Sequence, residues 1–267
     1  MKKRFISILV ATLAVTAFIA PAAIAADLTD VGYIDQAQLG SLPVFVHANA
    51  ELAQYQAQLQ QQYKSQFNAA KTDADKQRIA MQYQQAMTDK QNELIGPVYA
   101  RAQMAIANVA DQKKLSIVVD KRIVVYGGQD ITKDVIALVT SSKAIAPPQA
   151  TPPASEIGFV DQTALDTAQK VKDAADQLTK YQQQEQTIYA GKLKSAKTDV
   201  DKQQIIADYN KTMQAKRDQL LTPLVNQTKA VTARIAKSKN LLLVIDRADV
   251  VFGGTDITQD VQNALNK

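Results

Sequence analysis

One segment of the chain occurs twice. Residues 114–132, KLSIVVDKRIVVYGGQDIT, return at 240–258 as NLLLVIDRADVVFGGTDIT. A single shift of about 126 residues superposes the two without a gap and holds from Val31 to the end of the chain. Roughly a third of the aligned positions are identical, far above chance for one register. Each copy reads as strand, tight turn, strand, double glycine and the start of a helix. A unit written twice is expected to fold as two small domains, and 267 residues are enough for both.

Residues 1–26 stand outside the repeat. Lys2, Lys3 and Arg4 precede an apolar run at 5–20, then Pro21 and Ala23-Ile24-Ala25. These are the three parts of a secretory signal, with cleavage expected after Ala25 or Ala26. Pro21 and the small-residue site argue against an uncleaved anchor. The chain has no cysteine, which excludes a lipid-modified cysteine, a disulfide, a thiolate nucleophile and a cysteine-based metal site. No later segment is long and apolar enough to span a bilayer. There are 31 basic and 26 acidic residues, three of the basic ones in the leader, an excess too small to imply nucleic acid. The expected product is exported and soluble.

Each repeat opens on a short β-type run, Val31-Gly32-Tyr33-Ile34-Asp35 and Ile157-Gly158-Phe159-Val160-Asp161. About eighty residues rich in Ala, Gln and Lys follow, types that lose little rotamer freedom in a helix. Leu52, Tyr55, Leu59, Tyr63 and Phe67 recur at helical spacing, as do Ile79, Tyr83, Met87, Leu94 and Val98. So narrow an apolar stripe suits a two-helix antiparallel coiled coil. Thr72 with Asp75, and Thr198 with Asp201, fit the capping pattern that starts a helix, so residues 71–76 and 197–202 read as hairpin tips. Arms of roughly 35 residues each would then project on the order of 50 Å. Pro97 and Pro223, at equivalent places in the returning helix, predict a bend or break near the base. Strands are expected over 115–120 and 123–126, and Thr132 and Thr258 are expected to be the N-caps of short closing helices. Pro147, Pro148, Pro152 and Pro153 mark an extended linker. The expected division is a signal peptide at 1–26, a first repeat at 27–140, a linker at 141–155 and a second repeat at 156–267.

Groupings that carry chemistry are missing. His47 is the sole histidine, and its counterpart is Asp173. No metalloprotease, nucleophile-elbow or phosphate-loop motif occurs, and the double glycines lack dinucleotide-loop spacing. Asp120, Asp130 and Asp134 match no calcium loop, and capping and turn formation explain two of the three. No enzyme activity, metal or cofactor is expected. Tyr55, Tyr63 and Tyr83, with Tyr181, Tyr189 and Tyr209, read first as seam packing and second as a binding surface for other chains. Lys192, Lys194, Lys197 and Lys202 form a basic cluster near the second tip.

The order of these parts resembles the Skp/OmpH family of periplasmic chaperones. The resemblance rests on Ile117-Val118-Val119-Asp120, Val125-Tyr126 and Asp130-Ile131-Thr132 with Val135, and on Leu243-Val244-Ile245-Asp246, Val251-Phe252 and Asp256-Ile257-Thr258 with Val261. It implies an α+β fold: two tandem repeats, each a small body of about three strands that mediates oligomerisation, a protruding helical hairpin and a short C-terminal helix. It further implies a homo-oligomer, by family a trimer, that holds unfolded outer-membrane proteins between its arms in the periplasm without ATP. The tandem departs from the single unit of the family. On this reading the arms and tips that meet the client carry Tyr55, Tyr63, Phe67, Lys71, Lys76, Tyr181, Tyr189, Lys192, Lys194, Lys197 and Lys202. The oligomerisation body carries Ile34, Ile117, Val119, Val125, Tyr126, Val160, Leu243, Ile245, Val251 and Phe252. Weak contact with a membrane surface is compatible with it; nucleic acid is not an expected partner. The competing expectation is a structural or adaptor coiled-coil protein of the envelope that binds a folded partner.

Overall fold

The structure, a computed structural model, describes residues 28–148 and 151–266; the expected signal peptide lies outside these residues. The first copy contributes β1 (Val31–Ile34), α1 (Gln36–Gly40), α2 (Pro43–Ala69), α3 (Asp73–Gln112), β2 (Ile117–Asp120), β3 (Gln129–Asp130) and α4 (Thr132–Thr140). The second contributes β4 (Ile157–Val160), α5 (Gln162–Leu165), α6 (Gln169–Ser195), α7 (Asp199–Ser238), β5 (Leu243–Asp246), β6 (Val250–Gly253), β7 (Thr255–Asp256) and α8 (Thr258–Leu265). The fold is α+β, dominated by two long helical hairpins. No helix among the described residues is long and apolar enough to cross a membrane.

The chain divides into two compact units. Of the described residues, one holds those from 28 to 154 together with 249–253, and the other holds 155–248 and 254–266. In the first, β1 lies parallel to β2, Val31 facing Ile117 and Ile34 facing Asp120. Parallel neighbours need a long crossover, and the α2–α3 hairpin is that crossover. β3 adds parallel to β1 on its other side. The fourth strand, β6, comes from the second copy of the sequence and runs antiparallel to β2, Val118 facing Phe252. Among the described residues the other unit has three strands, in the order β5-β4-β7, all parallel.

The strand expected over 123–126 is not formed. Residues 121–123 make a 3-10 turn and 124–128 run as irregular chain, with Val125 100% and Tyr126 96% exposed. A strand needs an edge on which to satisfy its N–H and C=O groups, and in this unit the open edge of β2 is taken by β6. Val125 and Tyr126 are therefore not part of this sheet, whereas their counterparts Val251 and Phe252 pack against its core.

The hairpin arms are unequal. α2 has 27 residues and α3 has 40, about 40 and 60 Å by helix rise. The excess of α3 lies at its base, where Ala102, Ala105, Ile106, Val109 and Ala110 are buried with Ile34, Leu115, Val118, Ile131 and Val135. Small residues there let the helix lie close to the sheet. In the other unit Val231 joins Val160, Ile257, Val261 and Leu265. Pro97 and Pro223 lie inside α3 and α7, which continue through them, so of the expected bend or break the break is excluded. The tertiary contacts at the helix base outweigh the single lost hydrogen bond.

Candidate functional site

The Asp-Ile-Thr motif works differently from expectation. Thr132 and Thr258 do not cap their own helices, which have Ile131 and Ile257 at the N-cap without a side-chain bond. Instead the Asp130 carboxylate accepts from the Thr132 N–H (2.9 Å), and Asp256 accepts from Thr258 (2.8 Å). This leaves each threonine oxygen to accept from the N–H of Asp35 (3.0 Å) or Asp161 (2.9 Å), just beyond the first strand of its repeat. The motif thus fixes the closing helix and ties it to the mouth of the hairpin.

The remaining aspartates are also engaged. Asp134 pairs with Lys113 (3.0 Å) and Asp260 with Lys239 (2.9 Å), joining each closing helix to the end of its long returning helix. Buried Asp120 accepts from Arg122, backbone (2.8 Å) and guanidinium (3.1 Å), and its carboxylate holds the arginine more firmly protonated than usual. Among the described residues no cluster of acidic, histidine or cysteine side chains is placed to hold a metal ion. Arg101, which the spacing did not single out, donates to the carbonyls of Leu138 (3.0 Å), Val139 (2.8 Å), Ser141 and Lys143 (3.0 Å). It closes the C-terminal end of α4, where a cation is also favoured by the helix dipole. An isolated arginine on a polar helix face leaves no periodic mark, so sequence reasoning passed over it.

The arms hold together through the tyrosines. Tyr63 meets Tyr83 edge to face with centroids 5.7 Å apart, and Tyr189 meets Tyr209 at 5.3 Å. Tyr189 is 9% exposed and its hydroxyl lies 3.2 Å from Thr212 Oγ1. This is seam packing, which withdraws Tyr189 from the surface expected to meet a client. Tyr55 and Tyr181 are half-buried beneath Lys90 and Lys216, 5.7 and 5.3 Å from the ring centroids. Burial and Glu185 push the Tyr181 hydroxyl above its ordinary pKa.

At the first tip Thr72 accepts from the Asp75 N–H (3.1 Å) and donates to its carboxylate (2.7 Å). At the second, Thr198 and Asp201 satisfy each other's N–H reciprocally. Beside these turns the expected lysines differ in their use. Lys76 lies 5.9 Å from the centre of the Phe67 ring and Lys192 4.2 Å from that of Tyr189, while Lys202 pairs with Asp199 (2.9 Å). Lys71, Lys194 and Lys197 are exposed, and Phe67 is half out in solvent. Further apolar side chains stand exposed along the arms: Met81 and Tyr99 in the first, Ile188, Val200 and Ile206 in the second. A shallow cleft of about 480 Å³ lies against the second arm, lined by Tyr181, Lys211, Thr212 and Lys216.

The geometry defines a class: a small sheet body from which a two-helix hairpin projects, its outer surface polar with isolated apolar contacts. Within that class, residues 47–139 match the model of the family described as outer membrane protein (OmpH-like), so the first unit carries an OmpH-like domain from α2 through most of α4. No curated protein and no solved structure matches the chain.

Proposed function

We propose that this protein is an ATP-independent periplasmic holdase that binds unfolded outer-membrane proteins along its helical arms and keeps them from aggregating before insertion. The observation that carries this reading is the OmpH-like hairpin itself, a long arm with scattered exposed apolar side chains and exposed lysines toward its tip. An unfolded chain offers short apolar stretches in no fixed order. Many weak, separated contacts suit it better than one pocket, and each contact raises the effective concentration of the next. Binding the unfolded state also lowers the free concentration available for aggregation by mass action, which needs no nucleotide. Phe67, Tyr55, Tyr181 and the lysines 71, 76, 192, 194, 197 and 202 supply apolar and basic contacts; Tyr63 and Tyr189 act indirectly, by keeping the arms paired.

The test is dilution of a urea-unfolded outer-membrane β-barrel into buffer with and without the protein, followed by light scattering. Suppression at a small molar excess is expected. Replacing Phe67, Met81, Ile188 and Ile206 by serine should raise the amount needed several-fold while leaving helicity intact. Scattering that is unchanged at every ratio, with saturable binding to one folded envelope protein instead, would establish the adaptor reading in its place.

A further inference from the structure

The chain enters the first sheet beside a cleft. Residues 28–30 form a 3-10 turn that runs directly into β1. Asp30 borders a cleft of about 440 Å³ together with Asp111, Lys114, Leu115, Pro153 and Phe252, all within the first compact unit. The carboxylate of Asp111 stands where helix physics disfavours it. It lies in the last turn of α3, which holds no basic residue, and the carbonyl end of a helix dipole repels an anion. At the same place in the second copy α7 carries Lys237, the favoured charge. The backbone around the two places is alike: the Ser116 N–H donates to the Asp30 carbonyl at 2.8 Å, and the Leu242 N–H to that of Glu156 at 2.8 Å. What differs is the chain leading in. The linker precedes Glu156, whereas the expected cleavage after Ala25 or Ala26 would leave a free amino group four or three residues before Asp30. At full extension that group lies within about 14 Å of Asp30.

We propose that this cleft seats the mature amino terminus, the freed α-ammonium of Ala26 or Asp27 donating to the carboxylates of Asp30 and Asp111. Charge complementarity selects this occupant. Asp30 and Asp111 against Lys114 leave an excess of negative charge around the cleft, and the neighbouring Lys113 is engaged by Asp134 at 3.0 Å. Asp111 has an interaction of its own, but an ionised carboxylate offers about four acceptor positions and takes a further donor. The second copy has no amino terminus to receive, and its Lys237 would repel one.

Removal of the leader is what creates the ammonium. In the precursor the same nitrogen is an uncharged amide, so processing completes the site and favours folding of this unit after cleavage rather than before it. The groups facing the amine are Asp30, Asp111 and Lys114, and their net negative charge raises its pKa above the ordinary α-amino value of about 7.7–8.0. The stability that the contact adds is complete below the unfolded value and is lost as pH rises through the raised one. The inference rests on the expected cleavage and not on the holdase reading.

Mass spectrometry of the exported protein first fixes its amino terminus, expected at Ala26 or Asp27. The amines are then reductively methylated with carbon-13 formaldehyde, which keeps their charge, and the α-amino signal is followed by NMR as pH is varied. Its midpoint in the folded wild type should lie above that of the same chain unfolded in urea. Asp30→Asn and Asp111→Asn should each lower it, and Asp111→Lys, which carries the charge of the second copy, should lower it furthest while helicity is kept. The urea midpoint of the mature protein at neutral pH should exceed that of the uncleaved precursor, and Asp111→Lys should narrow the gap. An α-amino midpoint that is the same folded and unfolded, or one that Asp111→Lys leaves in place, would overturn the seat in the cleft. A mature chain that begins elsewhere would overturn it through the leader, and neither result touches the aggregation assay on which the holdase reading stands.

Discussion

Thr132 and Asp130 divide labour that the sequence pattern assigned to the threonine alone. An Asx turn and a helix cap leave the same trace in a sequence, and only the partner across the fold, the Asp35 N–H, decides between them. Asp130→Ala should cost about 1 kcal/mol through loss of the helix start. Thr132→Val should cost about 1–3 kcal/mol, because it leaves the partly buried Asp35 N–H unpaired; urea unfolding of each variant measures both. Lys114 and Asn240 end α3 and α7 with φ of 56° and 57°. Lysine tolerates that conformation less well than asparagine, so Lys114→Gly should raise stability by about 1 kcal/mol and Asn240→Gly by less. Two carboxylates set an acid limit. Asp35 is held below the usual range chiefly by the Gln38 backbone N–H, and Asp75 by the Thr72 hydroxyl and then Arg78. A lowered pKa in the folded state adds stability that is complete above the unfolded value and disappears as pH falls through the folded one. The melting temperature should therefore drop as pH falls below the ordinary carboxylate range, and less steeply in Asp75→Asn.

At the level of elements the hairpins were legible because their periodicity extends over many turns, and the tips because Thr and Asp stand at capping distance. What the periodicity did not reveal was the inequality of the arms. Residues 102–110 continue the helical pattern of the arm without a break, and their alanines look the same whether they face solvent or a sheet. Pro97 raises the converse question. Since α3 runs through it, Pro97→Ala should restore a backbone bond and raise the unfolding free energy by up to about 3 kcal/mol, visible as a higher denaturation midpoint. A fall would mean that the proline shapes the helix path at the base. A double-mutant cycle of Tyr63→Leu and Tyr83→Leu should return a coupling of about 0.5–1.5 kcal/mol, the edge-to-face term of the seam.

For the molecule as a whole, the repeat predicted two similar units, but no local signal could say that β6 would join the sheet of the first copy. Residues 123–126 and 249–252 are equally strand-like; which finds an edge depends on where the chain has already placed β2 and β5. α3 has one further consequence. A single uninterrupted helix is exposed on most sides near its tip and buried in the body from Ala102 onward, so two regimes of opening coexist along it. Amides near Arg78 should exchange with deuterium through local fraying, whereas those near Val109 should exchange only when the unit unfolds. Mass spectrometry of overlapping peptides would record protection rising toward the base, and this gradient would let an arm loosen while its foundation stays folded.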